Sequence, residues 1–281
     1  MTRARDLVRQ HWPDEVVVAT QALTGGVSAR VTAVTLRRVD GTDWRVVVRE
    51  YGPRDLAATP DVAAQEFALL TFLHGQGLPV PQPLAHTPGM LIQTFLDGRS
   101  GAEVEVDPEQ LARFLARLHG LVPGTLALPI LPDVSPQTGP PDDSLSESRI
   151  RAALASHPPL PGRTAVLHAD LWPGNTLWHS GTLSAVLDWE DAALGDPLAD
   201  VGNTRLELLF FQGEAAMQTF TAGYATRTGL DLTDLPAWDL RAALRPCGKL
   251  HTWGLEPAQE RTMRERHAAF VTEAVARLAL T

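Results

Sequence analysis

Two carboxylates and one amide stand directly after short apolar runs, a placement that could bring their side chains together. The apolar pair at 166–167 precedes Asp170, and a Pro-Gly turn then leads to Asn175. A second apolar run, at 183–187, ends on Asp188. Mg²⁺ prefers hard oxygen ligands from one or two side chains, and a substrate hydroxyl needs a nearby carboxylate to accept its proton. The pattern therefore predicts phosphoryl transfer with Mg²⁺.

The elements before these groups are β-rich. Runs rich in β-branched and other apolar residues predict strands at 16–19, 30–36, 44–49 and 90–96. Gly25-Gly26 and Asp40-Gly41 interrupt the runs, and the second pair is a hairpin signal. Apolar residues at helical spacing around Glu66 predict a helix over 61–75. The prolines of the stretch 79–83 predict an extended connection after that helix.

The later part of the chain has helical patterns. The stretch 107–110 carries an N-cap aspartate, a proline at the first helical position and a capping-box glutamine. Asp196-Pro197 likewise predicts the start of a helix that runs to Phe211. Between these helices, 123–141 is rich in proline and glycine and predicts a long loop. The tail at 236–280 is expected to hold two or more helices.

Composition narrows the class of protein. Of the 281 residues, 44% are apolar and 20% charged, which is typical of a folded globular protein. The net charge of −9 argues against non-specific binding to nucleic acid or to an anionic membrane surface, because both attract basic proteins. The single cysteine, Cys247, indicates a reducing compartment. The sequence shows no signal-peptide pattern and no apolar run of membrane-spanning length, and we therefore expect a cytoplasmic protein.

Taken together, these motifs resemble the aminoglycoside phosphotransferase and choline kinase family, which is related to protein kinases. That family carries His-Gly-Asp, four residues, Asn, a strand ending in Asp, then Gly-Asp-Pro and a further Asp. The matching residues here are His168, Asp170, Asn175, Asp188, Gly195, Asp196, Pro197 and Asp200, with Ala169 in place of the glycine. The resemblance implies an α+β, bilobal, protein-kinase-like fold. A small β-rich N-terminal lobe (1–94) would bind nucleotide, and a larger, mainly helical C-terminal lobe (95–281) would bind the substrate and catalyse the reaction.

The resemblance also implies a role for each matching residue of the second lobe. Asp170 would accept the proton of the substrate hydroxyl as the catalytic residue. Asn175 and Asp188 would hold Mg²⁺ against the phosphates. His168 and Asp200 would brace the catalytic loop and take no part in the chemistry.

The nucleotide, by the same resemblance, would be held by residues of the first lobe: Gly25, Gly26, Ser28, Arg49, Glu66, Gln93 and Phe95. The loop at 24–28 would cover the phosphates, and backbone groups at 93–96 would bind the adenine. Arg49 would contact phosphate and pair with Glu66. It stands where protein kinases have a lysine, and Lys249 is the only lysine of this chain. The expected cofactors are ATP, with GTP as an open possibility, and Mg²⁺.

Some of these residues have plainer explanations. Gly25-Gly26 could be an ordinary hairpin turn, Arg49 a solvated charge at a strand end, and Asp188 the cap of a short helix that begins at Trp189. A zinc hydrolase is disfavoured because the chain has no His-Glu-x-x-His and no paired Cys-x-x-Cys. A serine hydrolase is disfavoured because no Gly-x-Ser-x-Gly occurs.

The sequence therefore predicts a small-molecule kinase that transfers the γ-phosphate of ATP to a hydroxyl of a soluble substrate. The alternative is a catalytically silent, kinase-fold protein that binds nucleotide in a regulatory role. The joint presence of Asp170, Asn175 and Asp188 favours the enzyme, since a protein that transfers nothing has no need of all three.

The sequence does not determine the acceptor. Glu190 and Asp191 could bind the amino groups of an aminoglycoside-like molecule, and Trp189 and Trp253 could face a quaternary amine. Each of these residues is more commonly a solvated charge or a core aromatic. We expect an amine or sugar metabolite or an antibiotic, and neither a nucleic-acid nor a membrane partner. The oligomeric state stays open.

Overall fold

The computed structural model describes residues 2–23, 29–134, 137, 139–158 and 163–279. The chain forms two compact units. The first comprises the residues up to Arg99 together with Leu177–His179 and Ser184–Glu190. The second comprises Ser100–Thr176, Ser180–Leu183 and the residues from Asp191 onward.

The first unit is built on an antiparallel sheet. In chain order its elements are α1 (Thr2–His11), β1 (Val16–Leu23), β2 (Ala29–Arg37), β3 (Asp43–Tyr51), α2 (Pro53–Ala58), α3 (Val62–Gly75), β4 (Pro83–Thr87) and β5 (Met90–Thr94). The strand order is β1-β2-β3-β5-β4, and each neighbouring pair is antiparallel. The turn between β2 and β3 contains Gly41 at a φ of +86°, a conformation that glycine adopts without a Cβ clash.

An apolar cluster joins α1 to one face of this sheet. Val8 of α1 and the strand residues Val34, Leu36 and Val46 are completely buried in it. Each fully buried side chain of this size contributes about 1.5–3 kcal/mol relative to an exposed one. The sequence patterns did not predict α1, because its first turns are dominated by charged residues.

Helix α3 carries a buried carboxylate among apolar residues. Glu66 is buried together with Leu69, Leu70 and Leu73. Ionised carboxylates are almost never buried without a partner. The position of Glu66 therefore requires a cation or a hydrogen-bond donor from a neighbouring element.

The remaining elements begin with β6 (Arg99–Ser100), α4 (Pro108–His119), α5 (Glu147–Leu154), β7 (Ala165–Leu167), β8 (Thr176–His179), β9 (Thr182–Val186) and β10 (Ala193–Gly195). They continue with α6 (Leu198–Gln212), α7 (Glu214–Thr228), α8 (Leu235–Ala243) and α9 (Pro257–Leu278). Strands β7 and β10 pair in antiparallel fashion. The second unit is mainly helical, and β7 delivers the chain to the predicted catalytic residues.

The start of α4 differs in one detail from the capping-box prediction. Asp107 is the N-cap, and its side chain accepts the Glu109 amide at 2.9 Å. Gln110, however, does not reach back to the Asp107 amide. Its Nε2 donates to the Asp107 carboxylate and to the Gly181 carbonyl, both at 2.9 Å. The glutamine thus ties α4 to the β8–β9 turn, a long-range contact that the local pattern could not show.

Most predicted elements are confirmed. The strand runs correspond to β1, β2, β3 and β5, the Glu66 helix to α3, and the Asp196-Pro197 signal to α6. The short helices α2 and α5, and helix α7, were not predicted. The α+β class, with a β-rich first part and a helical second part, is confirmed. Within the residues described, no helix combines the length and the apolar character that crossing a bilayer requires.

Candidate active site

The loop after β7 carries the first group of predicted site residues. Strand β7 ends at Leu167, and the backbone then turns sharply, with Ala169 at a φ of +64°. The backbone amides of His168 and Ala169 both donate to the carboxylate of Asp200, at 2.8 and 2.7 Å. The fully buried His168 ring accepts the Asp170 amide at Nδ1, over 3.2 Å. His168 and Asp200 therefore fix the backbone that presents Asp170.

Asp200 is ionised although it is completely buried. Burial alone would raise the pKa of its carboxyl group, but the hydrogen bond from His119, the interactions with His119 and His168, and the His168 amide lower that pKa below 3.8. The His119 Nε2 atom lies 3.1 Å from Asp200, and its Nδ1 atom lies 2.7 Å from the Tyr224 hydroxyl. The loop amides consequently meet a full negative charge, which makes these hydrogen bonds stronger than neutral ones.

Asp170 is held at both of its carboxylate oxygens. Oδ1 accepts a hydrogen bond from the Arg245 guanidinium, and Oδ2 accepts one from Asn175 Nδ2 at 3.2 Å. Arg245 also donates from Nη1 to the Ala169 carbonyl at 2.7 Å. The Asp170 side chain nevertheless stays 34% exposed, so a reactant can reach it.

Asn175 ends a single turn of 3₁₀ helix, Pro173–Asn175. Its Nδ2 donates to the Asp170 carbonyl at 2.9 Å as well as to the Asp170 carboxylate. Gly174 is required in this turn, because a Cβ there would come within 2.0 Å of the Trp172 ring. With its nitrogen used by Asp170, Asn175 makes no hydrogen bond through Oδ1 to any described residue. That oxygen can serve as a hard ligand for a cation.

In the first unit, the guanidinium of Arg49 on β3 lies close to three carboxylates. Its Nη2 lies 2.7 Å from Asp188 Oδ1 and 3.4 Å from Glu190 Oε2, and its Nε lies 3.8 Å from Glu66 Oε1. Glu66 also accepts a hydrogen bond from the Tyr51 hydroxyl. Burial alone would lower the pKa of Arg49, but the charges of Glu66 and Asp188 raise it above its ordinary value. The Arg49 guanidinium is therefore the cation that the buried Glu66 requires. Because Arg49 is buried, the alternative explanation of Arg49 as a solvated charge at a strand end is wrong.

Asp188 follows β9 in a strained backbone conformation, with a φ of +63°. No helix begins at Trp189, so the helix-cap alternative for Asp188 is wrong. The Trp189 ring is buried, and its Nε1 donates to the Val186 carbonyl at 3.1 Å. Trp189 is thus a core aromatic and does not face an acceptor amine. The strained turn at Asp188 costs about 1–3 kcal/mol and is typical of functional positions.

The connector after β5 carries the predicted adenine contacts. The Phe95 amide already donates to the Arg45 carbonyl at 3.3 Å, and the Phe95 ring lies 3.8 Å from the Arg45 guanidinium. Gln93 is buried, and none of the described residues hydrogen-bonds to its Oε1 atom. The backbone amide of Leu96 makes no hydrogen bond within the described part of the chain.

A family model described as the Phosphotransferase enzyme family matches residues 19–241. The chain belongs to this family. The matched range contains Asp170, Asn175 and Asp188, together with Arg49, Glu66 and Asp200, whereas Arg245 lies just beyond its end. The phosphotransferase family is the one that the sequence motifs resemble, and that prediction is confirmed. A comparison with curated proteins found no significant match.

Solved structures of phosphotransferases share the fold. A macrolide 2'-phosphotransferase from Brachybacterium faecium is 21% identical, with a TM-score of 0.62 over 95% of this chain and 98% of that one. Aminoglycoside 2'-phosphotransferase-IIIa in its GDP complex is 18% identical, with a TM-score of 0.66 over 99% and 97%. A putative aminoglycoside phosphotransferase from Ralstonia eutropha is 16% identical, with a TM-score of 0.63 over 99% and 98%. The predicted protein-kinase-like fold is confirmed.

Membership in the family makes this chain a small-molecule phosphotransferase, as predicted. The predicted division at residues 94 and 95, and the role of each site residue, stay predictions. Gly25, Gly26 and Ser28 of the phosphate loop lie outside the described residues. The predicted cytoplasmic location also stays a prediction.

The remaining residues suggested for acceptor binding differ in their exposure to solvent and in their partners. Glu190 pairs with Arg49, so an amine would have to compete with that guanidinium. Asp191 is exposed. Trp253 is 39% exposed, and its ring lies 6.5 Å from the ring of Phe210. Of these, Asp191 and Trp253 are still able to contact a ligand from solvent.

Two residues near Asp170 were missed by the sequence patterns. Arg245 binds the Asp170 carboxylate, and Glu207 of α6 interacts electrostatically with both. Burial raises the pKa of Glu207 to about 8, as does the charge of Asp170, while Arg245 opposes the change. No motif marks either residue, because 75 positions separate Arg245 from Asp170.

The described residues include no group of three or more His, Cys, Asp or Glu side chains arranged to hold a metal ion. The two predicted ligands, Asn175 and Asp188, suit Mg²⁺ by the type of donor atom that each carries. Asn175 and Asp188 offer one amide and one carboxylate, both hard oxygen donors. Mg²⁺ commonly takes only one or two such groups from the protein and completes its octahedron with phosphates and water.

Proposed function

We propose that this phosphotransferase transfers the γ-phosphate of ATP to a hydroxyl of a small soluble molecule, with Mg²⁺ as the metal. The observation that carries the proposal is the linked pair Asp170 and Asn175. Asn175 Nδ2 donates to both the backbone and the side chain of Asp170, and its Oδ1 is left for a cation. One loop thus offers a proton acceptor and a metal ligand side by side, as phosphoryl transfer to an alcohol requires.

Asp170 is the general base of the proposed reaction. The attacking hydroxyl would donate a hydrogen bond to its carboxylate, which accepts the proton as the hydroxyl oxygen bonds to the γ-phosphorus. The bond between that phosphorus and the β,γ-bridging oxygen breaks in the same step, and the nucleoside diphosphate leaves. The Asp200 carboxylate fixes the loop backbone on the N-terminal side of Asp170 through two amides, so the position of Asp170 is set before the substrate binds. Proton transfer to a positioned side chain typically contributes about 10²–10⁴ in rate.

Asn175 and Asp188 are the proposed metal ligands. When bound, Mg²⁺ would neutralise charge on the β- and γ-phosphate oxygens. The Asn175 amide oxygen contributes no charge, whereas Asp188 contributes a carboxylate. In the structure Asp188 Oδ1 is paired with Arg49 at 2.7 Å. Binding of the metal-nucleotide therefore has to share or replace this ion pair.

Arg49 is the proposed phosphate contact. Its side chain is 8% exposed and its guanidinium is held by carboxylates from α3 and from the segment after β9. Glu66, in turn, is fixed by Tyr51. A guanidinium stays charged at every physiological pH and can bind phosphate through two N–H groups. Arg49 can therefore serve in place of the lysine that this chain lacks at the position.

The acceptor class is an amine- or sugar-containing alcohol. The structures that share this fold include phosphotransferases named for macrolides and aminoglycosides, and one of them is a complex with GDP and kanamycin. Asp170 and Asp191 of the second unit are acidic, while the chain carries −9 overall. We infer that the acceptor is neutral or cationic, and that the donor is ATP or GTP.

The test measures phosphotransfer directly. Purified protein with Mg²⁺ and γ-³²P-labelled ATP or GTP is offered kanamycin, erythromycin, choline and simple sugars, and labelled product is separated from nucleotide. Asp170→Asn should lower the rate of product formation at least 10²-fold, and a chelator should abolish it. The control variant is Asp231→Asn, whose exposed side chain bonds to Thr233, two positions along the chain.

Two outcomes would overturn the proposal. Turnover that survives Asp170→Asn unchanged would remove the general base. Tight nucleotide binding with no labelled product from any acceptor would favour the catalytically silent alternative.

A further inference from the structure

The guanidinium of Arg245 makes two hydrogen bonds to the predicted catalytic loop. One nitrogen, Nη1, donates to the Ala169 carbonyl at 2.7 Å, and the other, Nη2, donates to Asp170 Oδ1. The same side chain therefore bonds to the backbone before Asp170 and to the carboxylate itself. Such two-point contact fixes orientation, because the guanidinium is planar and its donors have a rigid geometry.

The two oxygens of the Asp170 carboxylate are held by different residues. Arg245 binds Oδ1 and Asn175 binds Oδ2. With a partner on each oxygen, the carboxylate cannot rotate without breaking one of these hydrogen bonds. Each oxygen has a second lone pair, so an incoming hydroxyl can still donate to it.

The backbone that carries Arg245 is itself anchored. Arg245 follows helix α8, and its amide donates to the Ala242 carbonyl at 3.0 Å. Pro246 comes next and fixes its own φ near −65°, and its carbonyl accepts the Lys249 and Leu250 amides at 2.9 Å. The guanidinium thus projects from a turn with its own hydrogen bonds.

Glu207 is a third ionisable residue close to Asp170 and Arg245. It lies on α6, half-buried, and interacts with both Asp170 and Arg245. It makes no hydrogen bond to a described residue. Arg245 therefore has its direct hydrogen bonds to the catalytic loop and a weaker, longer-range interaction with Glu207.

We propose that Arg245 is a positioning residue for phosphoryl transfer, which orients the Asp170 carboxylate towards the acceptor hydroxyl. The inference rests on the proposed function, since it assigns Arg245 a role in the same reaction. Arg245 acts through Asp170 and does not touch the reacting atoms. Misplacing a catalytic group by about 1 Å can lower the rate about 10²-fold, so loss of this contact should affect kcat far more than KM.

Variants of Arg245 and of its neighbour Arg241 test the proposal. Arg245→Gln removes the charge and the fork of donors, and Arg245→Lys keeps the charge with a single donor group. Arg241→Gln is the matched control four positions earlier, in the last turn of α8, since Arg241 bonds to the Ala237 and His157 carbonyls and to Asp133. The assay is labelled phosphotransfer with the acceptor from the panel that wild type uses best, with melting temperatures for every variant.

Arg245→Gln should lower kcat about 10- to 100-fold while the KM for the nucleotide stays within about twofold. Arg245→Lys should recover part of that loss, and Arg241→Gln should keep the wild-type kcat. Added guanidinium at millimolar concentration should partly restore an Arg245→Ala variant, a rescue that a purely structural role would not give.

The failures are distinguishable. If wild type transfers phosphate and Arg245→Gln matches Arg241→Gln in kcat at equal melting temperature, the positioning role is overturned and the proposed function stands. If Arg245→Gln loses activity only in proportion to a lowered melting temperature, and neither lysine nor guanidinium restores it, the positioning role is likewise overturned. If wild type gives no labelled product, both proposals fall.

Discussion

Asp200 Oδ1 accepts the backbone amide of Ala169 at 2.7 Å, although 31 residues separate them. The bond joins helix α6 to the turn that precedes the proposed general base. Its strength depends on Asp200 being ionised while completely buried. This one carboxylate therefore couples the stability of the second unit to the geometry of the catalytic loop.

Asp200→Asn should destabilise the protein by about 2–4 kcal/mol, because an asparagine nitrogen would face the His168 or Ala169 amide and leave it unsatisfied. Urea unfolding measures the loss. Asp43→Asn is the control, since its partner Arg37 lies in an exposed pair that contributes about 0–1 kcal/mol. Equal losses for the two variants would contradict the assigned role of Asp200.

Asp200 should also make the free energy of unfolding depend on pH. The folded-state pKa of Asp200 lies below its ordinary value of 3.8, so its contribution is fully present above pH 3.8. That contribution should be lost as the pH falls from 3.8 through the folded pKa. Unfolding free energies at pH 3 and pH 6 should therefore differ more for wild type than for Asp200→Asn. An equal difference would show that Asp200 is not the titrating group.

Ala169→Gly should stabilise the protein. Ala169 has a φ of +64°, a left-handed conformation that costs a non-glycine residue about 1–2 kcal/mol. Glycine removes this strain but adds entropy to the unfolded chain, about 0.4–1 kcal/mol. The expected net gain is about 0.5–1 kcal/mol in thermal or urea unfolding, with activity retained. Ala169→Val, with a branched Cβ, should be destabilising, and the opposite order would refute the strain argument.

Arg49→Met should destabilise the first unit by about 3–5 kcal/mol, because it leaves the buried Glu66 without a cation. Combining it with Glu66→Gln should recover part of the loss, and a double-mutant cycle gives the coupling, which we expect at about 1–3 kcal/mol. Arg37→Met, in an exposed pair, is the control and should cost below about 1 kcal/mol. A coupling near zero would mean that Arg49 and Glu66 are independent.

Glu207→Gln should stabilise the protein only at higher pH. The folded-state pKa of Glu207 is raised to about 8 from 4.5, so ionising it costs stability progressively between pH 4.5 and 8. The variant should match wild type at pH 4 and exceed it by about 1–2 kcal/mol at pH 8.5, since the side chain keeps some contact with water. Glu265→Gln, on the exposed face of α9, should show no such trend. A gain that is equal at both pH values would contradict the raised pKa.

Local sequence patterns were sufficient to predict most strands, several helices and part of the site. The strands β1, β2, β3 and β5 follow from runs of β-branched residues, and α3 from its helical spacing of apolar side chains. Both patterns reflect interactions between residues that are close in the chain. The helices α1, α2, α5 and α7 were missed. Charged residues obscure the apolar spacing of α1, and tertiary packing supplies most of the stability of helices in proteins.

The partners of individual site residues could not be predicted in the same way. The sequence identified Asp170 but not Arg245, and Glu66 but not Tyr51, because no spacing rule relates residues on different elements. For Trp189, the sequence suggested a role that the tertiary structure excludes. Its position beside Asp188 allowed a ligand-binding role, and only packing showed that its ring is buried.

The sequence by itself determined the chemistry that this chain can carry, since the order of His168, Asp170, Asn175 and Asp188 is set by the covalent chain. It also determined the family and the β-rich and helical parts. The family resemblance had already paired Arg49 with Glu66. Only the tertiary structure showed that Arg49 also meets Asp188, that Arg245 meets Asp170, and that Asp200 accepts the loop amides. The physical reason is that a charge pairs with whichever opposite charge or donor lies near it in the folded chain, and burial, as at Glu66 and Asp200, makes such a partner necessary.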